Sequence, residues 1–260
     1  TRSTSLPDIP VRIADAYRDL PEAQRAIAID GPRIGHYYDT LGRVLIALNN
    51  NANSGVAAGF GSPYQSGNAI GGDSSVQRLL LAYRSGIFPW TDDPITWWSP
   101  DPRAIFELDR FHVSRSLARV LRQGVFQITV DRAFTRVMKG CADPAPGRRS
   151  TWISPEFIAA YTQLHGQGHA HSLECWQAGR LVGGIYGVTV GGLFAGESMF
   201  HRVSDASKVA LFHLIEHLRK QGFVLFDIQM LTPITEQLGG VTIPRAAFSG
   251  ESKTGTSFFR

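Results

Sequence analysis

Gly183-Gly184-Ile185-Tyr186-Gly187-Val188-Thr189-Val190-Gly191-Gly192-Leu193-Phe194-Ala195-Gly196-Glu197-Ser198-Met199-Phe200 is the stretch on which the fold turns. Two apolar runs meet at Gly191-Gly192, and a glycine pair between such runs signals a β-hairpin. Side chains alternate along a strand, so Leu193, Ala195, Glu197 and Met199 are expected on one face. That face carries a single carboxylate, Glu197, among apolar neighbours. A buried carboxylate is costly without a cation or a hydrogen-bond donor. Two readings are open: a satisfied structural or edge glutamate, or a group held for a cationic ligand.

Strands are expected over 172–176, 181–190 and 193–200, and again over 224–230. Between the last two, Ser204 or Asp205 caps a helix whose apolar residues are Val209, Phe212, Ile215 and Leu218, stopped near Gly222. Strand–strand–strand–helix–strand is an α+β order. On the last strand, alternation sets Asp227 and Gln229 on one face and Phe226, Ile228 and Met230 on the other. The two polar side chains can then bond each other, with Asp227 fixing which end of the Gln229 amide meets a ligand.

Upstream, Val76, Leu79, Leu80 and Tyr83 recur at helical spacing before Gly86. A helix over 112–124 turns Leu117, Val120 and Leu121 inward and carries Arg115, Arg119 and Arg122 as a basic stripe on its other side. Ser154-Pro155-Glu156 opens a further helix. Residues 11–20 and 35–48 are helix-like, and 49–68, rich in Asn, Gly, Ser and Pro, reads as a linker or surface loop. No role is assigned to this leading part.

The 260 residues are 43% hydrophobic, enough for a core, and carry a formal charge of +4. The pI near 9.3 suits a phosphate-bearing partner without requiring one. Cys141 and Cys175 form no Cys-x-x-Cys pair and are expected as reduced core residues of a cytoplasmic protein. No run is long enough to span a membrane. Asp8, Asp15, Asp19 and Glu22 stand where a signal peptide needs its apolar centre, so no export signal is expected. His165, His169 and His171 lack a carboxylate that would complete a ligand pattern, so no metal is expected.

Ile87-Phe88-Pro89-Trp90 and Trp97-Trp98-Ser99-Pro100-Asp101-Pro102-Arg103 form a Trp- and Pro-dense run without helical period. Followed in order by Thr151-Trp152-Ile153, Gly168-His169-Ala170-His171-Ser172, the glycine-spaced run through Ala206-Ser207-Lys208, and Asp227-Ile228-Gln229, it resembles the leucyl/phenylalanyl-tRNA–protein transferase family. The resemblance spans residues 71–245. It implies an acetyltransferase-like (GNAT) catalytic domain over 104–260, a smaller N-terminal α/β domain with a segment at 71–103, and an extension over 1–70. The activity implied is transfer of Leu or Phe from aminoacyl-tRNA to proteins with N-terminal Arg or Lys, marking them for N-end-rule degradation. No cofactor is implied, and a monomer is expected.

By the same resemblance, Asp227 and Gln229 are the catalytic candidates, and Glu197 helps hold the acceptor. Trp90, Trp152, Ile185, Met199 and Leu214 match positions lining the donor slot, although large apolar residues of this kind are ordinarily core. Ile185 stands where methionine is common, which leaves the Leu-versus-Phe preference open, and Ile234 stands where histidine is frequent. Arg115, Arg119 and Arg122 are the tRNA-backbone candidates, with Arg148 and Arg149 as further candidates from a loop. Two other readings stand. A coenzyme A-dependent acetyltransferase would share the fold, but it needs a Gly-rich loop entering a helix, and Phe200 to Ala206 has no glycine. A non-catalytic tRNA- or peptide-binding module would not need Asp227, Gln229 and Glu197 together.

Overall fold

The computed structural model describes residues 67–70, 72–92, 95–144 and 151–248. The helices expected over 11–20 and 35–48, and the phosphate candidates Arg148 and Arg149, lie outside them. The chain begins with β1 (Gly67–Ile70), α1 (Val76–Arg84), β2 (Phe88–Asp92), β3 (Ile95–Ser99) and β4 (Arg103–Phe106). Next come α2 (Arg115–Gln123), β5 (Gln127–Val130), α3 (Phe134–Ala142) and α4 (Pro155–Gly166). The glycine-spaced region supplies β6 (Ala170–Gln177), β7 (Arg180–Val190) and β8 (Leu193–His201). Then follow α5 (Ala206–Lys220), β9 (Leu225–Gln229), α6 (Pro233–Gln237), β10 (Val241–Ile243) and α7 (Arg245–Phe248).

Local chemistry sets the ends of several helices. Ser114 caps α2 by accepting from the Leu117 N–H, and Gly124 ends it at φ 61°. Ser154 caps α4 by accepting from the Phe157 N–H, with a proline in the first turn. At the start of α5, Asp205 takes the cap position at φ 65° but makes no side-chain cap. It accepts from Lys208 Nζ at 2.9 Å instead.

Seven strands form one sheet in the order β10-β4-β9-β8-β7-β6-β5. The hairpin read at Gly191-Gly192 joins β7 and β8, closing with Val190 opposite Leu193. All neighbours in this sheet are antiparallel except β8 and β9, which run parallel on either side of the α5 crossover. The α+β order expected of the glycine-rich half is therefore present. The Trp- and Pro-dense run forms a second sheet, β1-β3-β2. Its first strand, Gly67–Ile70, lies partly inside the stretch read as linker.

The large sheet is covered on both faces. On one, α1, α3 and α4 pack on Tyr186, Val188 and Val190 of β7 and Ala195 and Phe200 of β8. On the other, Leu117 of α2 and Val209, Leu214, Ile215 and Leu218 of α5 pack on Ile185, Phe194 and Phe226. Each large apolar side chain buried this way is worth about 1.5–3 kcal/mol.

Candidate active site

The site forms where the sheet opens. β8 and β9 share the pairs Leu193↔Leu225, Phe194↔Phe226 and Ala195↔Asp227, and pair no further. Beyond that point β8 runs on to His201 and β9 to Gln229. One side-chain bond spans the opening: Gln229 Nε2 donates to Glu197 Oε1 at 2.8 Å.

Strict alternation does not survive along β8. Gly187 pairs with Gly196 and Tyr186 with Ser198, so Glu197 is the extra residue of a β-bulge. Glu197 shares a face with Ala195, whereas Met199 packs into the opposite core with Ile185 and Leu214. The expectation that Glu197 and Met199 lie on one side is thus corrected. Glycine at 187 has a cause here, because a Cβ there would run into the Ala195 carbonyl and the Phe194 ring.

The neighbours of Glu197 are also less apolar than the sequence suggests. Tyr83 of α1 and Tyr161 of α4 bond through their hydroxyls beside it. Tyr186 of β7 stands behind, its ring 5.9 Å from that of Tyr161. Glu197 Oε2 and the Tyr186 hydroxyl are buried without a well-formed hydrogen bond among the described residues. Burial pushes the Glu197 carboxyl up to about 8. The Asp227 carboxylate adds to this rise, while the Tyr83 hydroxyl, Arg103 and the Gln229 amide oppose it. Burial, followed by the Glu197 charge, in turn pushes all three tyrosine hydroxyls well above their ordinary range.

Asp227 does not orient the Gln229 amide. Its carboxylate accepts from the Gln229 backbone N–H at 2.9 Å, and from Arg103 at 2.9 Å (Nε) and 2.6 Å (Nη2). The partner of the amide is Glu197, because the backbone at Gln229 turns the side chain away along the opening. Gln229 stands at φ 63°, and the Met230 N–H donates to the Ile228 carbonyl at 2.6 Å, which closes a three-residue γ-turn around it. With Nε2 committed to Glu197, the amide presents Oε1 as its remaining acceptor.

Trp90 and Trp152 stack at 6.0 Å between centroids and 14° between planes, both partly exposed. They belong to the core on the Glu197 face. Ile185, Met199 and Leu214 belong to the other, with Met199 directly opposite Ile185. The five slot candidates therefore form two groups, one on each face of the sheet. Arg115, Arg119 and Arg122 are all exposed on α2. The histidine motif is dispersed into local contacts. His171 Nδ1 meets Asp131 at 2.8 Å, and His165 Nδ1 meets the Ala170 carbonyl at 2.8 Å while stacking on Phe134. Ile234 is exposed.

Residues 105–253 match the family model described as leucyl/phenylalanyl-tRNA protein transferase, and residues 72–101 match the model of that family's N-terminal domain. A protein of Shewanella sp. (strain W3-18-1) named leucyl/phenylalanyl-tRNA–protein transferase is 52% identical over 182 residues, spanning 69% of this chain and 77% of that protein. The chain belongs to the leucyl/phenylalanyl-tRNA protein transferase family. A second transferase of that name, from Stutzerimonas stutzeri (strain A1501), is 51% identical over 183 residues, or 70% of this chain and 81% of that one.

Two solved structures are also similar to the chain. L-PGS from Bacillus licheniformis is 18% identical at a TM-score of 0.39, covering 59% of this chain and 50% of its own. A GCN5-related N-acetyltransferase from Kribbella flavida is 11% identical at 0.36, covering 69% and 65%. Both likenesses are loose.

Sequence reasoning about this transferase missed Arg103 and the three tyrosines. A signal for Arg103 existed, because an aspartate on an apolar strand needs a cationic partner as much as Glu197 does. For the tyrosines there was none, since their convergence comes from three separate elements.

Proposed function

We propose that this chain moves leucyl or phenylalanyl groups from tRNA to proteins whose N-terminal residue is Arg or Lys, in the cytoplasm and as a monomer, marking them for N-end-rule degradation. Residues 104–260 would form the catalytic domain, with 71–103 part of a smaller one. The observation that carries the reading is the Glu197–Gln229 pair across the opening of the sheet.

The reaction is an aminolysis. The neutral α-amine of the acceptor forms a C–N bond to the ester carbon. The C–O bond to the ribose breaks, and the surplus amine proton passes to the departing ribose oxygen. The ester is already activated, so proximity and orientation supply much of the acceleration. An α-amine with a pKa of about 7.7–8.0 needs little help to lose its first proton. Gln229 Oε1 is suited to accept from that amine and hold it in line. Glu197, neutral when no cation faces it, is suited to ionise when a guanidinium or ammonium arrives, since a nearby cation lowers a carboxyl pKa. Asp227 acts on the Gln229 backbone, and Trp90, Trp152, Ile185, Met199 and Leu214 are the apolar candidates for a leucyl or phenylalanyl side chain. Exposed Arg115, Arg119 and Arg122 suit phosphates, which fix position without reading sequence.

The test is transfer of labelled Leu or Phe from charged tRNA to peptides beginning with Arg, Lys or Ala, without ATP and with a chelator present. Transfer to the Arg and Lys peptides alone is expected. No transfer, or transfer only when acetyl-coenzyme A is supplied, overturns the reading.

A further inference from the structure

Among the described residues, Arg103 has the largest fully buried side chain and is 1% exposed. Its guanidinium faces the Asp227 carboxylate through two parallel bonds, Nε to Oδ1 at 2.9 Å and Nη2 to Oδ2 at 2.6 Å. Nη1 donates to the Gly86 carbonyl at 2.9 Å. The rings of Phe88 and Phe248 lie 5.0 and 4.6 Å from the guanidinium carbon. Five elements or turns are thereby joined at one planar cation, whose hydrogen bonds go to Asp227 and Gly86 and not to Glu197.

What Arg103 does reach, through Asp227, is the geometry of Gln229. Asp227 Oδ1 accepts from both Arg103 Nε and the Gln229 N–H. At 229 the chain needs that second bond, for two reasons. Positive φ is unfavourable for a side chain of this kind. The β4 register also shifts there, with Ala104 opposite Gln229 but Ile105 opposite Asp227, which leaves Ile228 in excess. A carboxylate free to rotate would release the N–H, let the γ-turn relax, and swing the amide away from Glu197. The bidentate fork removes that rotation. A lysine at 103 would keep the charge and lose the fork, because an ammonium has no planar pair of donors to match a carboxylate.

We infer that Arg103 is a positioning residue for the transfer reaction, acting through Asp227 to hold Gln229 in the γ-turn that sets its amide across the opening. This rests on the transfer activity proposed above. It assigns no contact with either substrate.

The experiment is a cycle measured in single turnovers with saturating aminoacyl-tRNA and an Arg-starting peptide. It uses wild type, Arg103→Lys, Gln229→Ala and the double variant. Arg103→Lys is expected to lower the transfer rate about 10- to 100-fold, the scale of a small misplacement of a reacting group. Its affinity for aminoacyl-tRNA should stay unchanged, and the double variant should be no slower than Gln229→Ala alone. A residue that merely supports the fold would instead multiply the two losses or weaken tRNA binding as well.

If Arg103→Lys does not fold, Arg103→Gln combined with Asp227→Asn leaves no buried charge unpaired and carries the same comparison with Gln229→Ala. A wild-type rate in Arg103→Lys, or multiplying losses, overturns the inference while leaving the transfer activity intact. An inactive wild type overturns the activity, and this inference with it.

Discussion

Gln229 sits at φ 63°, a value few side chains adopt, and Glu197 holds a proton that most glutamates lose far lower. Both cost stability, and the Glu197 cost can be followed with pH. Its carboxyl lies at about 8 in the fold against an ordinary 4.5. Between these values the folded chain keeps a proton that the unfolded chain has released. Stability therefore falls as pH rises from about 4.5 to about 8 and levels off beyond. The slope is at most about 1.4 kcal/mol for each step of one in pH. Glu197→Gln is neutral throughout and escapes that loss. Its melting temperature should match wild type near pH 4 and exceed it by several degrees at pH 8. A gap that does not widen with pH in thermal melts would mean the carboxylate is ionised in the fold. The same variant should use Arg- and Lys-starting acceptors about tens- to thousands-fold less well, because losing one partner of a desolvated pair costs about 2–5 kcal/mol. Donor use with a hydroxylamine acceptor, which has no cation to hold, should survive.

The elements divide into those the sequence makes legible and those it does not. The β7–β8 hairpin, α2, α4, α5 and β9 follow from apolar period, glycine turns and caps, and the structure places them within a few residues of expectation. Glu197 and Gln229 were legible as candidates because polar groups on apolar strands stand out. The β8 bulge was not, since it depends on what pairs across from Gly187, and so Met199 was set on the wrong face. The Asp227 role was missed for a related reason: alternation gives a face, but not the rotation that a γ-turn adds. Gly187→Ala tests the bulge directly. The added Cβ meets a backbone carbonyl that cannot give way, so a loss above about 2 kcal/mol is expected in denaturant melts, together with loss of transfer. Retained stability would show that the strand pair can shift to make room. α2 offers the opposite case, a helix whose outer face is free to change. Removing charge from Arg115, Arg119 and Arg122 should leave stability unaltered and flatten the salt dependence of aminoacyl-tRNA use by roughly one unit per lost phosphate contact. An aminoacyl-adenosine donor should lose much less, and equal losses with both donors would make the stripe structural.

On the scale of the molecule, α2 packs on one face of the large sheet, whereas Glu197 and its tyrosines belong to the core on the other. Glu197 and Gln229 stand on β8 and β9, where the pairing of those two strands ends, so the site depends on the sheet being whole. Its completion is also a matter of time. β4 carries Arg103, and its four residues are all buried between β9 and β10, partners made more than 100 residues later. During synthesis an apolar strand must therefore wait unpaired while the rest of the sheet forms beside it. Such a strand is an open edge, and long-range pairing of this kind is slow. A nascent chain halted after β8 would hold the hairpin and the tyrosines but neither the Asp227 that Arg103 grips nor the Gln229 that it sets. The same order gives a safeguard: the centre able to modify other proteins comes into being last, once the sheet that aims it has closed.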